Sequence, residues 1–233
     1  MKTQTNILFG IVFTTMFFIF LSPATAQNKV VREIDTFDEV SVSDNMHVTF
    51  TQSDKERITI VAHGIGYDKV VTETAGRALK IKLKTGIYKD TDIKIEVEYV
   101  KLRSIEATNK AELKFADVLK GDQLAIRAST NGVINLRVDV AALKVNVTNG
   151  GRIEIAGKTD MQEVDASIGA NYNAYELKSE HAYVKSNANS DVVVWVIDKL
   201  EATAGSKAEV KYRGKPADVQ SSTNLGGKIS GDL

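Results

Sequence analysis

Apolar and polar residues alternate along much of this chain, as in Ile126-Arg127-Ala128, Val145-Asn146-Val147 and Val164-Asp165-Ala166. A period of two marks a strand that buries one face and wets the other. From Lys101 onward the strands recur in units: a short alternating strand, a turn of small residues, then a second short strand. Equivalent positions are Ile105, Ile126, Val145, Val164, Val184, Ala202 and Val219, separated by 21, 19, 19, 20, 18 and 17 residues. A fixed period near twenty built from short strands predicts an all-β, right-handed parallel β-helix-like solenoid over 101–233. The main rival is a hairpin sandwich, which also gives short strands at regular spacing. It accounts poorly for the same turn chemistry returning once per unit.

That turn chemistry is Asn109-Lys110, Asn131-Gly132, Asn149-Gly150-Gly151, Gly169-Ala170-Asn171, Asn187-Ala188-Asn189, Gly205-Ser206 and Gly226-Gly227. Asn and Gly reach positive φ cheaply, as a sharp corner requires. Stacked corners predict an asparagine side-chain ladder from coil to coil. Stacking also aligns Glu106, Arg127, Asn146, Asp165, Lys185 and either Glu201 or Thr203 on one outward strand. Its alternating signs predict a solvated ladder of ion pairs.

Residues 27–100 carry longer, more strictly alternating strands around Val40, Ile58, Leu79 and Ile93. Val40, Ile58 and Leu79 are spaced by 18 and 21 residues, so the period extends backward through this region. The expectation is an N-terminal β region that continues or caps the solenoid in one continuous domain, because an open solenoid end exposes unpaired strand edges.

The N-terminus has a different character. Lys2 precedes an apolar run from Ile7 to Leu21, followed by Pro23 and Ala24-Thr25-Ala26. This reads as a secretory signal peptide over 1–26, cut after Ala26 to leave Gln27 first. The run falls short of the roughly 20 residues of a membrane-spanning helix. No later apolar run reaches that length, so the mature chain is expected to lack a membrane span. Export to the periplasm, cell surface or medium follows. No cysteine stands anywhere in the chain, which excludes a lipoprotein and disulfides alike.

Lys+Arg and Asp+Glu both number 30. A chain without net positive charge is a poor ligand for polyanions, so no nucleic-acid partner is expected. His47, His63 and His181 are far apart, with no zinc-type spacing, nucleophile elbow or phosphate loop around them. Neither catalytic residue, metal site nor cofactor is predicted.

The run Arg32-Glu33-Ile34-Asp35-Thr36-Phe37-Asp38-Glu39-Val40-Ser41-Val42, then Val48-Thr49-Phe50-Thr51-Gln52 and Ile58-Thr59-Ile60, followed by the small-residue turns, resembles the putative auto-transporter adhesin, head GIN domain family. Its usual Gly-Ser-Gly turns are here Thr-Asn-Lys, Thr-Asn-Gly and Ser-Asn-Ala. The resemblance implies a right-handed β-helix-like fold, export in Bacteroidetes-like bacteria, and no catalytic residues to carry over. Fold alone does not fix function.

One surface feature points to binding. In Asp191-Val192-Val193-Val194-Trp195-Val196, alternation turns Val192, Val194 and Val196 inward and Val193 and Trp195 outward. Tyr175 lies 20 residues before Trp195 and Arg213 lies 18 after it, one coil to either side. Tyr175, Trp195 and Arg213 are the candidate binding residues, able to stack on sugar rings or anchor a protein. A stabilising cross-coil stack is the alternative reading of the same strip. The chain therefore reads as an exported, non-catalytic interaction protein that binds glycan or protein on a β face. Two further roles stay open: a structural envelope protein that self-associates as a homo-oligomer, and a polysaccharide-active enzyme.

Overall fold

The computed structural model describes residues 29–231. The leader expected over 1–26, with its cleavage site, lies outside the described residues. The strands are β1 Lys29–Glu33, β2 Glu39–Val42, β3 His47–Gln52, β4 Arg57–His63, β5 Val70–Ala75, β6 Ala78–Leu83, β7 Asp92–Tyr99, β8 Ser104–Ala107, β9 Glu112–Ala128, β10 Val133–Thr148, β11 Arg152–Ser167, β12 Asn171–Ser186, β13 Asp191–Ala204, β14 Glu209–Arg213, β15 Asp218–Thr223 and β16 Lys228–Ser230. They form a β-solenoid of about 7 turns.

The geometry of a coil follows from its pairing. Strand β10 runs parallel to β11, with Val133 beside Arg152 and Thr148 beside Ser167. Only residues 149–151 link Thr148 to Arg152. A parallel partner is ordinarily reached by a long crossover, so so short a link requires the strand to bend back towards its own start. Each coil thus has a front half, Val133–Arg137 in β10, and a back half, Leu143–Thr148. Alternate residues of both halves fill the interior: Ile134, Leu136, Leu143, Val145 and Val147 are all at most 5% exposed.

The predicted column Ile105, Ile126, Val145, Val164, Val184 and Ala202 stacks in register. Its last member is corrected: Val219 lies beside Leu200, and Ser221 faces Ala202. In the outward column Thr203, not Glu201, lies beside Lys185, and Ser222 follows it. Arg127 and Glu106 in that column form an ion pair at 3.6 Å.

The corners differ from expectation in register. Positive φ falls on consecutive pairs, Asn109/Lys110, Thr130/Asn131, Asn149/Gly150, Ile168/Gly169, Ala188/Asn189, Ser206/Lys207 and Leu225/Gly226. Two left-handed residues in succession define a type I′ turn. The N–H of the fourth residue closes it, as from Gly132 to the Ser129 carbonyl at 2.9 Å. Gly132 and Gly151 are therefore glycine for lack of space: a Cβ there would lie 2.3 Å from the Ala107 oxygen and 2.4 Å from the Ala128 oxygen. The corners are tied coil to coil through the main chain, with Lys110 N–H on Thr130, Asn131 on Asn149 and Gly150 on Ile168. This backbone ladder stands where an asparagine side-chain ladder was expected.

The N-terminal region both continues and caps the solenoid, but not in chain order. Strand β2 lies between β6 and β8, so Val40 touches both Leu79 and Ile105 in register. Strand β3 lies between β7 and β9 in the same way. The rung β6–β7 therefore sits outside the rung β2–β3 that precedes it in sequence. Ile58 is not in the column: β4 runs antiparallel to β7, pairing Ile58 with Val97, and β1 runs antiparallel to β4. Strand β5 covers the edge of β6 likewise. These antiparallel strands cover the edges that a bare end would expose.

Candidate functional site

The front faces of β9 to β14 carry the three residues singled out by sequence. Trp195 and Arg213 are register partners on β13 and β14. Tyr175 is not the register partner of Trp195; Lys178 is. Between Ala174 and Lys178, β12 has three residues more than β13, and between Glu154 and Ala156 the register to β11 also shifts. Such a bulge re-aims side chains, and it leaves Tyr175 41% exposed.

Arg213 closes the gap. Its Cζ lies 4.0 Å from the Trp195 ring centroid and 4.5 Å from that of Tyr175. Its Nη1 donates to the Tyr175 carbonyl at 3.2 Å. One guanidinium thus bridges two coils by stacking on two aromatic faces. Gly214 follows it at φ +103, where a Cβ would lie 2.1 Å from the Val196 oxygen. Only glycine lets the chain turn there while Arg213 lies over the tryptophan.

Tyr175 also lines a front groove of about 510 Å³, whose other walls include Phe115, Asn135, Arg137, Glu154, Ala156 and Glu176. Neither Trp195 nor Arg213 lines it. Arg213 therefore packs against the tyrosine ring, and Tyr175 itself lines the groove. The floor drops at Ala156, which stands in register between Arg137 and Glu176 with only a methyl group. At the far end Phe115 begins a second register shift, between Asn135 and Arg137 of β10. Phe115 is held by Phe50, stacked at 4.6 Å, and by Tyr99, edge-on at 6.3 Å. Burial, with Asp117 nearby, pushes the Tyr99 hydroxyl up to about 12. Lys114 at the rim is occupied by Glu112 at 3.1 Å. That hydrogen bond outweighs partial burial and, with His47, holds the Glu112 carboxyl below its usual value.

Sequence reasoning missed the groove. Its one legible signal is the column Arg137–Ala156–Glu176, a small residue between two long ones at coil spacing. A second hollow of about 620 Å³ lies on the back face around Met161 and Tyr183. There Lys199 sits 5.9 Å from the Tyr183 centroid and 2.6 Å from Glu201. Among the described residues no cluster of His, Asp and Glu is placed to hold a metal ion, and no helix is long and apolar enough to cross a membrane.

The fold is a parallel β-solenoid, and an aromatic-edged groove lies on one of its outer faces. The sequence matches the putative auto-transporter adhesin, head GIN domain family over residues 36–216, and the chain belongs to that family. Among solved structures it is similar to a putative adhesin from Bacteroides fragilis, with a TM-score of 0.76, 17% identity, and coverage of 89% of this chain and 98% of that one. A putative adhesin from Parabacteroides merdae gives 0.74 at 21% identity, covering 88% and 96%. A protein from Parabacteroides distasonis described as a putative lipid binding protein gives 0.67 at 19% identity, covering 89% and 98%. At these identities the likeness shows the fold alone. No curated protein matches the sequence.

Proposed function

We propose that this chain is an exported, non-catalytic recognition protein of the cell envelope or exterior that binds glycan in the front groove against Tyr175. The observation that carries this reading is the Arg213 guanidinium stacked on both Tyr175 and Trp195 beside that groove. It presents an exposed, immobilised ring, which lowers the ordering cost of stacking a sugar. Trp195 and Arg213 then act as supports, and Tyr175 makes the contact. Among the described residues no Ser, Thr, Cys or His lines the groove, so no hydroxyl or thiol nucleophile with a histidine base is assembled there. Its carboxylates, Glu154 and Glu176, are the groups that the reducing-sugar test below addresses. The apolar leader motivates export.

A glycan-array screen of the purified mature chain tests this. Binding that Tyr175→Ala removes, with the melting temperature unchanged, supports it. Silence on the array, or binding indifferent to Tyr175→Ala, overturns it. Release of reducing sugar from a bound glycan revives the enzyme reading.

Self-association is the second reading. It is favoured by the last rung, where all six residues of Asp218–Thr223 are exposed. Light scattering on the purified chain distinguishes it: a stable oligomer that Val219→Lys dissolves supports self-association, and a monomer at every concentration removes it.

A further inference from the structure

We propose that the front groove holds its ligand across the strands, along the solenoid axis, as an extended chain of uncharged β-linked pyranoses with one sugar per coil. This rests on the glycan reading above and adds the polymer class and its direction.

The groove floor is a lattice of two rows. Lys114, Asn135, Glu154 and Asn173 are successive register neighbours on β9, β10, β11 and β12. Arg137, Ala156 and Glu176 form the row beside them. Neighbouring strands lie about 4.8 Å apart, whereas same-face residues along one strand are about 6.8 Å apart. The first spacing is close to the length one β-linked pyranose adds to an extended chain. An axial polymer therefore places each successive sugar over the next rung, and a polymer laid along a strand falls out of step.

The chemistry of the rows selects the sugar. Asn135, Arg137, Glu154 and Glu176 line the groove with polar side chains, beside Lys114, Asn173 and Tyr175. Asn173 spends only its Oδ1, accepting the Tyr175 N–H at 3.1 Å, so its amide donor remains available. Donors and acceptors thus alternate along the groove, and a sugar hydroxyl is both. The Lys114 and Arg137 cations are balanced by the Glu154 and Glu176 anions in the same lining, so a uniformly anionic polymer finds no net attraction along the groove. Depth comes from Ala156, and the two register shifts, at Phe115 and at Tyr175, mark the ends. The length between them is four coils.

The test is calorimetric titration of the purified mature chain with cello-oligosaccharides and N-acetylglucosamine oligomers from dimer to hexamer. For at least one series, affinity is expected to rise roughly tenfold or more from dimer to tetramer and then to level off. Ala156→Tyr, an outward change that fills the floor, is expected to abolish the gain from length while leaving the melting temperature in place. Asn135→Ala is expected to weaken the tetramer more than the dimer. Affinity that ignores length, or that survives Ala156→Tyr, overturns the axial arrangement. If array binding still depends on Tyr175 in that case, the glycan reading stands and only the direction fails. Array hits confined to acidic or branched termini, with neither linear series bound, overturn the polymer class.

Discussion

The Ser179 hydroxyl donates to the Trp195 carbonyl at 2.8 Å. The bond lies just past the bulge in β12, where the register resumes with Lys178 beside Trp195 and Ser179 beside Val196. The serine in turn accepts from Gln162 Nε2 at 2.7 Å, and the Gln162 Oε1 accepts from the Tyr172 hydroxyl at 3.0 Å. All three side chains are 0% exposed. Burial pushes the Tyr172 hydroxyl far above its ordinary value, so it remains a donor. An interior polar chain therefore holds the backbone beneath the surface tryptophan. Ser179→Ala leaves an amide donor and a carbonyl unpaired at once, which costs about 2–3 kcal/mol. For a chain this size the melting temperature should fall by about 5–10 °C. Calorimetry that finds no fall shows that water fills the serine's place.

Arg213 offers a second, separable test. Arg213→Lys keeps the charge but loses the planar stack, and Arg213→Ala loses both. A partly exposed cation–π contact is worth about 0.5–1 kcal/mol, so neither change should unfold the chain. Both should free the Tyr175 ring and weaken ligand binding alike. Trp195 is the only tryptophan, so its emission reports the loss directly as a red shift. If the lysine variant keeps the wild-type spectrum and binding, charge rather than stacking holds the strip.

Coil stacking was legible because its two signals agree from Ile105 to Ala202: period two within a strand and a period near nineteen between strands. Ile126, Val145 and Val164 needed nothing further to be placed in one column. Tyr175, Trp195 and Arg213 were brought together by the same arithmetic, although the bulge made Lys178 the true neighbour of Trp195 and Arg213's long side chain restored the contact. The groove stayed hidden because a hollow is a missing side chain, and Ala156 carries no pattern of its own. The N-terminal rung order was also hidden. A strand spaced at the coil period can pair parallel, as Leu79 does with Val40, or turn back antiparallel, as Ile58 does. Spacing does not separate the two.

The corners allow opposite effects to be predicted at two of their positions, Ile168 and Gly132. Ile168 holds φ +53 and is 57% exposed. A β-branched residue in left-handed backbone is strained by about 1–2 kcal/mol. Ile168→Asn keeps the corner and relieves part of that strain, so it should stabilise by about 1 kcal/mol. Gly132→Ala should destabilise by about 2 kcal/mol or more, since its new methyl group meets the Ala107 carbonyl main chain, which cannot yield without breaking the ladder. Denaturant midpoints of the two variants should move in opposite directions. A stabilising Gly132→Ala would show that the glycine serves the unfolded chain's entropy rather than close packing.

Asp38 supplies a pH dependence at the join between cap and coils. It is 7% exposed and accepts from Arg77 Nε at 2.8 Å, and Arg103 Nε pairs with it at 3.0 Å. Burial opposes ionisation, but the hydrogen bonds and charges of Arg103 and Arg77 outweigh it and hold the carboxyl below its ordinary value of 3.8. A carboxylate whose folded value is depressed adds stability above its unfolded value and loses it as pH falls through the folded one. The contribution is therefore complete at neutral pH and disappears progressively below about pH 4. Asp38→Asn removes the charge at every pH and leaves two arginines facing a neutral amide. It should lower stability at pH 7 and flatten the acid limb of the stability curve, so that the two proteins converge near pH 2. Parallel acid limbs for wild type and Asp38→Asn, followed by urea denaturation from pH 7 down to pH 2, would assign the acid sensitivity to other carboxylates and reduce Asp38 to a packing role.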